Sequence, residues 1–227
     1  LDNNSSVALH ETPNAIKEYE INNIQHLYNS FESILKINGH NKFKAKVKRQ
    51  IATLLSYPEG RRQISAILHV IKQLPAPVFL HLSLGEFTYY RRDYLGKNTE
   101  GNKVFQHSIF LSDQLEPGVL LDADNGCKKS RYSYTEIPLF HELQHFLNHL
   151  ISNGPSQKTS LNLNWNDYSY SIEEGRTIEG SPSQGFLSEN SFRSNLGRLR
   201  RYGHFVGCDP AAAPIDNLKL AIEKNIS

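Results

Sequence analysis

Two histidines four residues apart with a glutamate between them, His141-Glu142-Leu143-Gln144-His145, stand in the run PLFHELQHFLNHL. On an α-helix, residues at i and i+4 share a face, so both imidazoles can reach one metal ion. The glutamate one position on can take a proton from a water at that ion. This pattern points to zinc hydrolase chemistry, with His141 and His145 as ligands and Glu142 as general base. A site of this kind usually adds a third protein ligand and keeps a fourth position open. A histidine six residues beyond His145 would serve, but Ile151 stands there. His149 lies roughly 6 Å further along the helix axis, a poor reach to the same ion, so it reads as supporting or core. Downstream, the run SIEEGRTIEG offers Glu173 and Glu174 on a predicted short helix, where they face different directions. Either carboxylate suits zinc, Glu174 being preferred, and Asp167 in the intervening polar stretch is a weaker candidate.

These residues need elements to hold them. Leu139, Leu143, Phe146, Leu147 and Leu150 supply the apolar stripe of a helix over 133–151, with Pro138 in its first turn and Gly154-Pro155 ending it. Before it, helical spacing predicts a helix over 12–36 and two more on either side of Pro58, up to Pro75. The runs VFLHLSL, GEFTYYRRDYL and KVFQHSIFLS then read as two to four strands. After the motif helix, residues 152–170 are polar and read as a long surface loop. Short helices follow over 172–178 and 189–196, the second opened by the capping sequence Ser188-Glu189-Asn190, and the tail carries an apolar-periodic segment, NLKLAIEK.

At 227 residues, 38% of them hydrophobic, the chain is long enough for one α+β domain over residues 1–227, mainly helical over 1–75, with sheet and catalytic helices over 76–227. A net charge of +2 argues against a nucleic-acid partner. No run approaches the roughly 18 apolar residues of a membrane helix, so no membrane partner is expected. The first residues lack the plan of a cleavable signal. The absence of Met suggests a sequence that begins inside a longer or trimmed product. Cys127 and Cys208 sit in no metal or nucleophile motif, and whether they pair is left open.

The blocks HELQHFLNH, EEGRTIEG and SENSFRSNLGRLRRYG, in that order over residues 138–203, resemble the NleD-type type III secretion effector zinc metallopeptidases. Gly175 and Phe146-Leu147 depart from the family pattern and bear on pocket shape. The resemblance implies a gluzincin-like, zincin-like α+β endopeptidase with a small, mostly antiparallel sheet. It also implies secretion into the host cell cytoplasm and host signalling proteins as substrates, MAP kinases of the JNK and p38 type being the suspected class. A monomer is expected. The motif positions then carry over as His141 and His145 for zinc, Glu142 as base and Glu173 or Glu174 as third ligand. Tyr202 is the first candidate to stabilise the oxyanion, with His204, Arg200 and Arg201 behind it. The KVFQHSIFLS run is the candidate edge strand for an extended peptide. A non-proteolytic host-protein-binding module with structural zinc, and a zinc hydrolase of a non-peptide substrate, are the competing readings.

Other residues read more plainly. Glu189, Asn190 and Arg193 are expected to build structure, Arg193 by pairing with an acid near the site. The run Lys42, Lys44, Lys46, Lys48 and Arg49 reads as a solvated helix face rather than a docking patch. His69, His81 and His107 read as core or surface residues.

Overall fold

The computed structural model describes residues 13–74, 76–86, 88–112, 119–121, 128–130, 136–152, 160–161, 170–180, 185, 187–198 and 201. Among them are six helices and a four-stranded sheet, a mixed α+β architecture. Helix α1 (Pro13–Ile34) runs directly into strand β1 (Leu35–Asn38), whereas helical spacing had carried that helix on to residue 36. Leu35 continues the Leu27, Phe31 series and so fits either period, and parallel pairing with β2 (Leu80–Gly85) decides for strand. Gly39 then turns the chain at φ +156°. A side chain there would meet Phe43 Cδ1 at 2.6 Å, so the turn demands glycine.

His40 caps helix α2 (Asn41–Leu55), its Nδ1 accepting from the Phe43 amide at 3.1 Å. Phe43, Val47, Ile51, Leu54 and Leu55 form its buried stripe. The basic residues fall opposite, with Lys48 paired to Glu32 at 2.6 Å, so the run is a solvated face as expected. Helix α3 (Pro58–Lys72) starts on Pro58 and packs tightly against the end of α2. A Cβ at Gly60 would lie 2.0 Å from the Leu54 carbonyl oxygen.

The sheet order is β1-β2-β4-β3, with β3 at Tyr89–Lys97 and β4 at Lys103–Ser112. Two of its pairings, β1 with β2 and β2 with β4, are parallel, and only β3 with β4 is antiparallel. The expected mostly antiparallel sheet is thus corrected to a mixed one. The cause is connectivity: α2 and α3 form the crossover between β1 and β2, and β3 carries the chain back so that β4 enters parallel to β2. The expected edge strand is corrected as well. KVFQHSIFLS is the interior strand β4, with His107, Ser108 and Ile109 buried in succession, and the edge belongs to β3. Arg91, Arg92, Asp93 and Lys97 charge β3 in the way sheet edges are blunted against aggregation. Two small ribbons complete the strands: β5 (Val119–Leu121) with β6 (Lys128–Ser130), and β7 (Ser160–Leu161) with β8 (Tyr170–Ser171). The second lies in the predicted 152–170 loop, whose remaining residues, Asp167 included, are outside the described set.

Helix α4 (Glu136–Ser152) carries the histidine motif and packs against α2, α3, β3 and β4. Helices α5 (Ile172–Glu179) and α6 (Glu189–Asn195) close its other side. Buried nearly all round, α4 is a core helix, and one hydrophobic cluster joins its apolar residues to α1, α2, α3, the sheet and α6. Phe192 on α6 is fully buried, stacked on Phe140 at 4.4 Å and edge-on to Tyr57 at 5.8 Å. Phe192→Ala is expected to cost about 3–5 kcal/mol, read as a fall in the urea midpoint. No described helix is long and apolar enough to cross a membrane.

Candidate metal centre

Helix α4 turns His141 and His145 toward each other, Nε2 to Nε2 at 3.0 Å, while α5 brings in Glu174. One carboxylate oxygen of Glu174 lies 3.3 Å from His141 Nε2 and the other 3.0 Å from His145 Nε2. The ligand atoms of the three residues lie within 4.8 Å of one another, and their side chains are 8%, 12% and 13% exposed. The group can therefore hold a metal ion. Of the adjacent pair Glu173 and Glu174, Glu174 is the one in this group. Glu173 lies in α5, but its side chain is outside the described set.

The outer nitrogens of the two rings are anchored differently. His141 Nδ1 donates to Glu189 Oε2 at 2.8 Å. That carboxylate also receives Arg193 Nε at 2.6 Å and Arg201 Nη1 at 2.5 Å, so it can act only as acceptor and Nδ1 must carry the proton. Arg201 Nη1 is also 3.4 Å from His141 Nδ1, a contact between two donors that both serve Glu189. The capping box of α6 holds Glu189 in place: Ser188 Oγ accepts from the Ser191 amide and Ser191 Oγ from the Ser188 amide, at 3.1 and 3.0 Å. Asn190 secures Arg201, its side chain accepting from the Arg201 amide at 2.7 Å and donating to the Arg201 carbonyl at 3.1 Å. On the other ring, His145 Nδ1 faces Thr177 Oγ1 at 3.2 Å.

With both Nδ1 atoms directed outward, the inner nitrogens face a common point beside a carboxylate. Two imidazole lone pairs 3.0 Å apart repel unless a cation sits between them, so the donor set fits a metal ion and, in its place, a proton. Burial would push His141 down, but the carboxylates of Glu174 and Glu189 outweigh it and raise the ring to about 9. Burial likewise works against an ionised Glu174, yet the two histidines hold it well below the usual carboxylate range. Glu189 is held low against burial, chiefly by Arg201 and then Arg193. Glu142 differs, because burial dominates and raises its pKa, which makes it a stronger base, while the backbone N–H of Tyr90 donates to it.

Sequence reasoning placed Arg193 beside an acid near the site, and it pairs with Glu189. Arg201, a candidate for the oxyanion, bonds Glu189 through Nη1, and its Nη2 lies 4.0 Å from Glu174 Oε1. Tyr202, His204, Arg200, Cys127 and Cys208 lie outside the described residues. His149 is not in the ligand group, since its Nδ1 donates to the His145 carbonyl at 2.9 Å and its ring stacks on Tyr90 at 5.2 Å. Thr177, Tyr90, Gln63, Gln144 and Asn148 were missed. Only the i, i+3 relation of Glu174 and Thr177, which puts both on the α4 side of α5, was a signal for any of them.

Behind the site, His107 is buried and its Nδ1 hydrogen-bonds with Tyr90 Oη at 2.6 Å. Burial, followed by Arg92 and His149, lowers its pKa to about 4. A ring at its ordinary value of 6.5 when unfolded binds its proton first in the unfolded chain, so this group's contribution is complete above 6.5 and is lost as pH falls toward 4. The loss should amount to about 3 kcal/mol. In His107→Gln the fall in stability over this window should be shallower by a comparable amount in denaturant titrations at stepped pH.

No protein-family model matches the chain, and no curated protein matches it.

Proposed function

We propose that the chain is a zinc-dependent endopeptidase with a zincin-like fold, in which His141, His145 and Glu174 hold the metal and Glu142 is the general base. The observation that carries this reading is the convergence of both Nε2 atoms and the Glu174 carboxylate on one point, with buried Glu142 on the same helix. Zinc held there supplies Lewis acidity, polarising a carbonyl and lowering the pKa of water toward about 7. Glu142, with its raised pKa, takes the proton from the attacking water and passes it to the departing amine. The three ligands found among the described residues suit an open site better than the closed four-ligand site of structural zinc.

The edge strand supports a peptide as substrate. The Tyr90 N–H points away from β4 toward Glu142, so by alternation the backbone groups of Arg92 and Tyr94 also face outward. An extended peptide that adds to β3 is thereby brought alongside the general base. The resemblance of the three sequence blocks extends the proposal to a bacterial effector acting in the host cell cytoplasm on MAP kinases of the JNK and p38 type.

The test incubates the protein with activated p38 and JNK kinases and follows fragments by intact mass spectrometry, beside Glu142→Gln and a chelated sample. A cut that needs both zinc and Glu142 is expected. Bound zinc with no cut in any tested protein would favour the binding-module reading, and cleavage that survives chelation would overturn the metal mechanism.

A further inference from the structure

We infer that Thr177 is a positioning residue that holds His145 with its proton on Nδ1 and Nε2 open toward the metal point, and that a buried chain of amides from α3 sets the orientation of that hydroxyl. The inference rests on the metal reading of His141, His145 and Glu174.

The chain begins at a group with only one hydrogen-bonding sense. The Phe140 carbonyl can only accept, and Gln63 Nε2 lies 2.9 Å from it, which fixes the Gln63 amide with its NH2 toward α4. The same nitrogen lies 3.0 Å from Gln144 Oε1. Gln144 therefore presents its own NH2 to the other side, where it donates to Asn148 Oδ1 at 3.1 Å. Asn148 in turn donates through Nδ2 to Thr177 Oγ1 at 3.0 Å. Each amide is oriented by the one before it, and all of these side chains are buried, Gln63, Gln144 and Thr177 completely.

One Thr177 lone pair is thus taken by Asn148, and the ring at 3.2 Å meets the other. A hydroxyl oxygen can accept two such bonds, and because His145 Nε2 faces the metal point and must keep its lone pair for the ion, the ring proton sits on Nδ1 and is donated to Thr177. The two ligand rings then have unlike supports: His141 rests on a carboxylate between two arginines, His145 on a neutral hydroxyl at the end of a neutral relay. The relay also ties the site to α3, in the helical part of the chain that precedes the sheet.

The experiment measures zinc affinity by competition with a chromophoric chelator for the wild type, Thr177→Val and Thr177→Ser, with the melting temperature of each metal-free protein as control. Valine keeps the shape and removes the oxygen, and serine keeps the oxygen. Outer partners of ligating histidines typically contribute 10–100-fold in metal affinity, so Thr177→Val should bind zinc about 10-fold or more weakly and Thr177→Ser within about 3-fold of wild type. Equal affinity in all three proteins, or equal weakening in both variants, would overturn the role of the hydroxyl. A wild type that takes up no zinc would sink the metal reading itself, a different result. If Thr177→Val does not fold, long-range proton–nitrogen correlation spectra of the zinc-loaded wild type decide. His145 protonated at Nδ1 supports the inference, and His145 protonated at Nε2 or bound through Nδ1 overturns it.

Discussion

Glu142→Gln is expected to lower peptide hydrolysis by about 10²–10⁴-fold while leaving bound zinc unchanged. The substitution removes the proton acceptor and nothing else of consequence. Glutamine is close to isosteric, and its amide oxygen can still accept from the Tyr90 backbone N–H that donates to Glu142. It also removes a buried carboxylate whose ionised form burial disfavours, so the variant should melt at or slightly above the wild-type temperature. Glu142→Ala should be equally inactive but less stable by about 1–3 kcal/mol, because the Tyr90 N–H loses that acceptor in a buried setting. Zinc content by elemental analysis, turnover and melting temperature together check the prediction. Activity within a few-fold of wild type in Glu142→Gln would remove Glu142 from the chemistry.

Glu174→Gln should produce the opposite pattern, with the metal lost first. Glu174 is the carboxylate of the ligand group, facing both Nε2 atoms at 3.0 and 3.3 Å, and it supplies the negative charge that a divalent ion meets there. Its loss should weaken zinc binding by more than the 10–100-fold typical of outer partners. The consequence can be read without a substrate. Zinc at 100 times its dissociation constant stabilises a protein by about 2.7 kcal/mol, but for a variant weakened 100-fold the same zinc gives only about 0.4 kcal/mol. The zinc-induced rise in melting temperature should therefore all but vanish in Glu174→Gln and persist in Glu142→Gln. A full zinc shift in Glu174→Gln would transfer the third-ligand role to another residue.

What could be read from the sequence was local in origin. The i, i+4 histidines and the apolar stripe of α4 are separated by single turns, and the capping box at Ser188 and Ser191 spans three residues. Glu174 could be read only as one of a pair, because choosing between Glu173 and Glu174 needs the rotation of α5 against α4, a tertiary quantity. The order of strands was hidden for the same reason. β-rich composition between turn residues marks KVFQHSIFLS as a strand but does not say that β2 lies along its other edge. The charges of YYRRDYLGK were the available signal, since exposed edges are charged. Leu35 shows a different limit: it satisfies the helical period of α1 and the pairing of β1 at once, and contact with a strand some forty residues later breaks the tie. Glu189 looked like an N-terminal helix acid, a favourable position on dipole grounds alone, and its turn toward His141 depends on Arg193 and Arg201.

The supports of the two ligand rings come from far along the chain: Gln63 precedes His145 by a crossover and most of a sheet, and Arg201 follows it by two helices. During synthesis the motif helix leaves the ribosome before Glu174, Glu189 and Arg201 exist outside it, and contacts so distant in sequence close late. A nascent chain therefore carries His141, Glu142 and His145 without the partners that orient the two rings. On the proposed function, competence arrives only once Arg201 has emerged, and a chain that stops short of it is inert.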